Sequence, residues 1–443
     1  MIGIVEIVAQ DAEAWDFKKC KKYALEHSAL IQQAQITIEG SKLDLRQSKL
    51  ALLPSLAVST SYGLNLGRAI DPLTNDFTSD PTQFNSYGLS SSVVVFNGGK
   101  LRNAIKKTRW KLDSDKLALQ KAKNELMIQL ATAYIQALLA NAQLTNAKKQ
   151  LENAEAQLGR INKLIAVGQN RTSKQAAILE AEAQIANNEL QILTAENQLI
   201  SAKESVRRLL QLPYGTSFEL SFPELKELDT IRPILTLREF TEQGLQDMPD
   251  VKIARLKAKS DELALREASG AYIPSISVGF SMGTGYSNRT VNLNDQGVLE
   301  RTPFFEQLEN NRNQGLSMGL SIPIFNNLQT RTTVEKARLN FEQSQIQTKE
   351  QETRFQQEVE KVHSDLVVAL KTFQVNKKKL LSSTENFRVA QQKYELGQIS
   401  VWDFRTARNT LESDQTSHIR AKYDYLVKRK IMDFYLGEEI SFK

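Results

Sequence analysis

A stretch of about 70 residues without a proline is the feature that most constrains the fold of this chain. It runs from Gly98 to Val167 and is rich in Ala, Leu, Gln, Lys and Glu, which favour helix. At about 1.5 Å per residue, a single helix of this length would extend on the order of 100 Å. An ordinary globular core is much shorter, so the sequence predicts long helices that pack side by side.

Apolar residues recur at every seventh position in this stretch and in its counterpart in the second half of the chain. A strict seven-residue period predicts left-handed coiled-coil packing, and a row of alanines would let neighbouring helices approach closely. Shorter partner helices are predicted over residues 16–53 and 169–211. The apolar positions are Leu130, Ala137, Leu144, Leu151, Leu158 and Ile165 in the first half, Val359, Leu366, Phe373, Leu380, Phe387 and Tyr394 in the second, and the alanines Ala133, Ala140, Ala147 and Ala154.

The two halves of the chain carry the same motifs in the same order. Such self-similarity predicts a duplicated structural unit. Each copy is predicted to contain a helix, two strands, a very long helix and a returning helix. The matching segments are 51–58 with 271–278, Phe96-Asn97 with Phe325-Asn326, and Val167-Gly168-Gln169 with Leu396-Gly397-Gln398.

We therefore predict a first repeat over residues 15–212 and a second over residues 234–443. The segment 213–233 between them is rich in helix-breaking residues and is predicted to be a linker. Residues 1–14 resemble the apolar core and cleavage region at the end of a signal peptide and are predicted to be the remainder of a leader. An ordinary N-terminal segment is the alternative, since Glu6 interrupts the apolar run.

Four short segments alternate apolar residues with serine and glycine. An apolar face opposite a small polar face, over about 9–11 residues, is typical of a strand that crosses an outer membrane beside water. A soluble half-buried sheet is the alternative. Four strands do not close a membrane barrel, and lipid tolerates no open sheet edge, so two, three or more chains would have to pool their strands. The segments are about residues 55–67, 86–97, 274–286 and 314–325.

The chemistry-bearing residues do not form a catalytic or metal-binding pattern. Cys20 is the single cysteine, and His27, His363 and His418 are far apart in the sequence. The Gly98-Gly99-Lys100 segment lacks the rest of a phosphate-binding loop. The net charge of +6 comes from basic residues that alternate with acidic ones on helical faces. We predict no enzyme activity, cofactor, metal or nucleic-acid partner.

The order and duplication of these motifs resemble the TolC family of outer-membrane factors, from about Trp15 onward. A leading helix ends in Leu53-Pro54-Ser55-Leu56, the second strand closes on Phe96-Asn97-Gly98-Gly99, and each long helix leads to a turn with Val-Gly or Leu-Gly. The resemblance implies a mainly α-helical fold with membrane β-structure. A trimer would form an α-helical barrel in the periplasm and share a 12-stranded transmembrane β-barrel.

The same resemblance implies a passive duct of a tripartite efflux or type I secretion system, located in the outer membrane and extending into the periplasm. Its partners would be two further copies of the chain, outer-membrane lipid, a periplasmic adaptor protein and an inner-membrane pump of RND or ABC type. A soluble periplasmic helical scaffold or adaptor is the alternative that the helices alone allow.

The resemblance places the closed entrance and the adaptor contact at the turns Val167-Gly168-Gln169 and Leu396-Gly397-Gln398. Tyr394 and Asp403 match residues of the second turn in that family, and three Asp403 carboxylates would ring the mouth and attract cations. As alternatives, Tyr394 packs in the heptad pattern and Asp403 stabilises the start of the returning helix. Arg171 and Lys174 are basic mouth residues or solvated surface.

Three positions depart from the pattern of the TolC family. Ile399 stands where the family can have arginine, Thr406 where it has a second acidic ring residue, and Lys174 where the first turn is acidic. We therefore predict an entrance held shut by apolar packing, with weaker cation selectivity than the family pattern implies.

Overall fold

The computed structural model divides the chain into two compact units. A helical unit comprises Met1–Ile36, Leu117–Lys252 and Lys349–Lys443, and a sheet unit comprises Thr37–Lys116 and Ile253–Thr348. The structure describes residues 14–70, 75, 77–79, 81–166, 171–213, 215–223, 237–238, 248–293, 297, 299–438 and 440–442.

The secondary structure alternates long helices with short strands. The helices are α1 (Phe17–His27), α2 (Ala29–Leu50), α3 (Lys100–Ala166), α4 (Arg171–Leu210), α5 (Pro249–Ser269), α6 (Phe304–Asn310), α7 (Gln329–Glu395) and α8 (Val401–Tyr435). The strands are β1 (Ser55–Asn65), β2 (Ala69–Ile70), β3 (Phe77–Thr78), β4 (Thr82–Asn97), β5 (Ser275–Ser287), β6 (Val291–Leu293), β7 (Leu299–Arg301) and β8 (Asn313–Ser321). None of the described helices combines the length and apolar content needed to cross a membrane.

The two long helices predicted from the sequence are confirmed, and each has 67 residues. The single helix predicted over residues 16–53 is wrong, because the backbone is extended at Ser28 (φ −62°, ψ 122°) and separates α1 from α2. The side chain of Gln211 accepts a hydrogen bond from the Ala29 amide at 3.0 Å, which replaces a bond within a continuous helix. The break therefore depends on a residue that is remote in sequence.

The core of the helical unit lies at the predicted heptad positions. On α3, Leu130 and Ala137 have no exposed surface, and they pack in one apolar cluster with residues of α1 and α4. On α7, Val359 and Leu366 are equally buried and belong to a second cluster with Tyr425 of α8. The predicted burial of these heptad positions on both long helices is thus confirmed, and the coiled-coil geometry stays a prediction.

The sheet unit contains a four-stranded antiparallel sheet in the order β1-β4-β5-β8. Strands β1 and β8 are its outer strands, and the free edge of each pairs with no described strand. β4 begins at Thr82, four residues before the predicted start, because it stays paired with β1 as far as Asn65. β8 ends at Ser321, before the predicted end at 325, because Pro323 has no amide hydrogen to donate.

The strand register separates two chemically different faces of this sheet. One face carries mostly serine, glycine and other small residues, with Phe84 and Val94 as larger exceptions on β4, and has cross-strand hydroxyl contacts such as Ser61 to Ser86 at 2.7 Å. The opposite face carries large apolar side chains that remain exposed, such as Leu56 at 72% and Leu316 at 79%. We call these the Ser/Gly face and the apolar face. The predicted alternation is confirmed in β1, β5 and β8, and it is less regular in β4, where the register shifts between Val94 and Phe96.

Candidate functional site

The turn between α7 and α8 is closed by two backbone hydrogen bonds that need a left-handed residue. Gly397 has φ +72°, and its amide donates to the Tyr394 carbonyl at 3.0 Å. The Gln398 amide donates to the Lys393 carbonyl at 2.8 Å. This pair of bonds is the Schellman arrangement that ends many helices at glycine. The predicted turn Leu396-Gly397-Gln398 is therefore a defined helix stop.

Substituting Gly397 by alanine is expected to loosen this turn. A Cβ atom meets no neighbour there, so the cost comes from the left-handed backbone, about 1–2 kcal/mol for an L residue. We expect hydrogen exchange of the turn amides to become about 5–30-fold faster, as measured by mass spectrometry of the peptide that contains them. Gln398→Ala is the matched control, and equal acceleration in both variants would contradict this account.

Asp403 makes the hydrogen bonds that begin α8. The Asp403 amide donates to Ser400 Oγ at 3.1 Å, and the Ser400 amide donates to Asp403 Oδ2 at 3.3 Å. Ser400 Oγ also lies 2.7 Å from Asp403 Oδ2. This reciprocal capping box satisfies amides that the first helical turn leaves without partners. The carboxylate is nevertheless exposed, so its charge remains available to solvent and to ions.

Tyr394 packs against an aromatic side chain of the returning helix. Its ring stacks on Phe404 with 4.7 Å between centroids and 13° between planes, and Phe404 also lies 5.6 Å from the ring of Phe387. Partial burial raises the pKa of the Tyr394 hydroxyl, and the carboxylate of Glu180 raises it further. Tyr394 thus packs within one chain, as one of its two interpretations had it, and Phe404 is a residue that sequence analysis missed; the closed entrance stays a prediction.

Two arginines of α8 reach across to α4. The Arg405 guanidinium donates to Glu180 Oε1 at 3.2 Å, and the Arg408 guanidinium donates to the Gln184 side-chain oxygen at 3.2 Å. The Arg405–Glu180 pair is partly exposed, and such pairs contribute about 0–1 kcal/mol. These contacts position α8 against α4, and no local sequence pattern signals them.

Large apolar side chains are exposed on both sides of the same turn. Leu396 is 71% exposed, Val401 is 40% exposed and Trp402 is 68% exposed. The Arg405 guanidinium lies 5.0 Å from the centre of the Trp402 ring and holds that ring at the surface. Adjacent exposed apolar residues are typical of a surface that contacts a partner.

The structure describes only part of the first turn, which lies between α3 and α4. Val167, Gly168 and Gln169 lie outside the described residues. Arg171 and Lys174 lie in the first turn of α4, and their side chains also fall outside the described part of the structure. Their predicted roles stay predictions.

Two features together define the class of outer-membrane channels. The helices are long and packed side by side. The sheet has one apolar and one Ser/Gly face, and the described strands of one chain do not close it into a barrel. More specifically, the chain belongs to the outer membrane efflux protein family, which matches residues 22–211 and 241–438. Outer membrane protein TolC of Escherichia coli (strain K12) is 22% identical over 394 residues, which are 89% of this chain and 76% of that protein.

Solved structures agree with this assignment at the level of the fold. The outer membrane protein VceC of Vibrio cholerae superposes with a TM-score of 0.78 at 13% identity, over 96% of this chain and 97% of VceC. The CmeC outer membrane channel of Campylobacter jejuni gives 0.74 at 16% identity, over 95% of this chain and 85% of CmeC.

The protein is therefore an efflux channel of the outer membrane with a periplasmic extension. The predicted family, fold class, function and location are confirmed. The alternative of a soluble periplasmic scaffold is not supported. The related proteins are channels and not enzymes.

Proposed function

We propose that three copies of this chain form a passive export duct with no catalytic activity of its own. A periplasmic adaptor and an inner-membrane pump of RND or ABC type would open the duct and supply the energy. The two sheet edges that pair with no described strand are the observation that carries this proposal. Each copy would pair its β1 edge with the β8 edge of the next, and three sheets of four strands would give a 12-stranded barrel without an open edge.

Exposed apolar residues on the helices support the same assembly. On α2, Ile36, Leu43 and Leu50 recur every seven residues and are between 50% and 71% exposed. On α7, Val368 and Val375 have the same spacing and are about 60% exposed. Apolar side chains at such heptad positions are removed from water when another helix packs against them. A second copy of the chain would supply that helix.

The Ser/Gly face would line the barrel. Among the described strand residues on this face none is ionisable, and most side chains are no larger than serine. A wide wall of hydroxyl groups and backbone would not select cargo by charge. Selectivity by charge would then lie at the periplasmic entrance, where Tyr394 and Asp403 stand as the proposed mouth residues, with Arg171 and Lys174 as basic candidates.

The exposed apolar residues beside the second turn support an adaptor contact there. Leu396 and Trp402 offer two large side chains next to the polar amide of Gln398. We propose the same role for Val167, Gly168 and Gln169 of the first turn, on the basis of the repeated motif. The repeats 15–212 and 234–443, with the linker 213–233, are proposed as the two copies of the duplicated unit.

The native mass of the detergent-extracted protein tests the assembly. We expect a protein mass of three chains by light scattering with the detergent contribution subtracted. A single chain, or a protein that leaves the membrane with salt alone, would overturn the pooled barrel. Two or four chains would keep the pooling of strands and overturn the trimer.

Asp403→Asn is expected to reduce the preference of the reconstituted channel for cations. The substitution removes a charge, while the side-chain oxygen of asparagine can still accept from the Ser400 amide. The measurement is the reversal potential in a bilayer under a salt gradient. Ser400→Ala is the matched control, because it keeps the carboxylate and loses the cap, at a cost of about 1 kcal/mol of helix stability. An unchanged reversal potential in Asp403→Asn would leave Asp403 with the capping role alone.

A further inference from the structure

The short helix α6 is fastened to one end of the four-stranded sheet. This end is opposite to the one at which β1 begins at Ser55 and β4 ends at Asn97. The side chain of Gln307, 1% exposed, accepts from the Ser287 amide at 2.9 Å. Its amide nitrogen donates to the carbonyls of Ser287 and Thr302 at 3.0 and 2.8 Å. A buried amide with three satisfied hydrogen bonds fixes the helix in one position.

Two further hydrogen bonds tie the end of α6 to β5. Thr284 Oγ1 donates to the Leu308 carbonyl at 2.5 Å, and the Asn311 side chain donates to the Gly285 carbonyl at 2.8 Å. Together with the bonds of Gln307, they involve residues near both ends of the segment that connects β5 to β8. The helix is therefore part of the sheet unit and not a loosely attached loop.

The aromatic contacts of α6 place it on the apolar face. The ring of Phe304 lies 5.1 Å from Tyr286 and 6.4 Å from Tyr87. Tyr87 pairs with Thr60, and Tyr286 pairs with Asn85 opposite Tyr62, so both tyrosines share the face of Leu56. Since α6 packs on the inner strands β4 and β5, it also lies away from the edges where another copy would pair.

The position of α6 along the strands matches one boundary of a membrane. Tyr87 and Phe96 are nine residues apart on β4. At about 3.3 Å per residue and a tilt of about 40°, this interval covers roughly 23 Å of membrane thickness. Apolar bands of outer-membrane proteins are about 25 Å tall between two levels of aromatic residues. Tyr87, Tyr286 and Phe304 thus mark the outer level.

One side of α6 is apolar and the other is polar. Phe305 is 82% exposed and lies next to Leu308 on the helix surface. Glu306 and Asn310 are exposed farther around the helix, about 100° and 140° from Phe305, and Glu309 lies about 40° from Phe305 at the border of the apolar side. A large apolar side chain beside a lipid-facing surface gains free energy if lipid covers it, and acidic groups do not.

We propose that the Phe305 side of α6 docks into the outer leaflet at the boundary between acyl chains and headgroups, with Glu306 and Asn310 facing water. The sheet unit thus carries its own interfacial helix, which fixes its depth in the membrane. The occupant is lipid because the apolar surface of α6 continues that of the sheet. The proposal rests on the outer-membrane location and is independent of the number of chains.

Spin labels on introduced cysteines test this proposal in phosphatidylcholine vesicles. Cys20 is fully buried, and burial raises the pKa of its thiol to about 12, so labelling is directed to the new cysteine. Phe305→Cys removes an exposed ring whose aromatic contact is with Phe304, 5.3 Å between centroids, and the hydrogen bonds of Gln307, Thr284 and Asn311 are expected to keep the helix in place. We expect a label at 305 to collide more with oxygen, which dissolves in lipid, than with a nickel chelate in water. Asn310→Cys is expected to show the reverse preference.

Two further variants calibrate the measurement. Leu316→Cys on the apolar face should prefer oxygen, and Ser317→Cys on the Ser/Gly face should prefer the nickel chelate. Given that contrast, a label at 305 that behaves like one at 310 would overturn the proposal. Shielding of the 305 label from both reagents would overturn it too, in favour of contact with another copy. No contrast between 316 and 317 would overturn the membrane location itself.

Discussion

Replacing Leu316 by arginine is expected to prevent stable insertion of the protein into the outer membrane. Leu316 lies opposite Phe280 on the apolar face, 79% exposed, near the middle of the band between Tyr87 and Phe96. An arginine that faces lipid near the bilayer midplane costs about 2–4 kcal/mol, and each further copy in a shared barrel would add the same amount. The measurement is the fraction of protein that stays in the outer membrane after a urea wash.

The neighbouring residue supplies a matched control. Ser317 follows Leu316 on β8 and lies on the Ser/Gly face, where its hydroxyl donates to the Gly279 carbonyl at 3.4 Å. Ser317→Arg adds the same charge and bulk on the side that would face water, so insertion is expected to continue. If both variants fail to insert, or if both insert, the two faces do not have the assignment that the register indicates.

The features set by local periodicity were predictable from the sequence. A seven-residue period extends over the long helices, and a two-residue period over each strand, so their type and buried faces follow directly. The order of the strands was not predictable, because β4 pairs with β5 across more than 170 intervening residues. The break at Ser28 was missed because serine is tolerated inside helices and the bond that stabilises the break comes from Gln211.

The same distinction separates the site residues. A stabilising role of Asp403 at the start of the returning helix was one of two interpretations from the sequence, and the structure adds its reciprocal hydrogen bonds with Ser400. The stop at Gly397 was likewise predicted from glycine at the end of a helix. The contact of Arg405 with Glu180 was not, because the two residues are 225 positions apart. Charged residues on helices mostly face solvent, so nothing in the sequence marks this pair.

Gly98→Ala is expected to destabilise the junction between the sheet and the long helix α3 strongly. Gly98 has φ +65°, which costs an L residue about 1–2 kcal/mol. A Cβ atom there would lie 2.5 Å from the Gly270 carbonyl oxygen and 2.8 Å from Ile273 Cβ, and the backbone carbonyl cannot rotate away. Overpacking of this kind adds about 1–3 kcal/mol. The free energy of unfolding in detergent, followed by circular dichroism, should therefore fall by about 2–5 kcal/mol.

A substitution at the adjacent glycine distinguishes the cost of backbone strain from the cost of close contact. Gly99 has φ +80°, and a Cβ atom there would have its nearest neighbour at 3.9 Å, the side-chain nitrogen of Asn103. Gly99→Ala should thus cost only the strain of about 1–2 kcal/mol. The difference in unfolding free energy between the two variants measures the contribution of the close contact between the end of β4 and the turn at Gly270, which precedes β5. Equal losses would mean that this contact relaxes freely, and that the junction owes its geometry to backbone conformation alone.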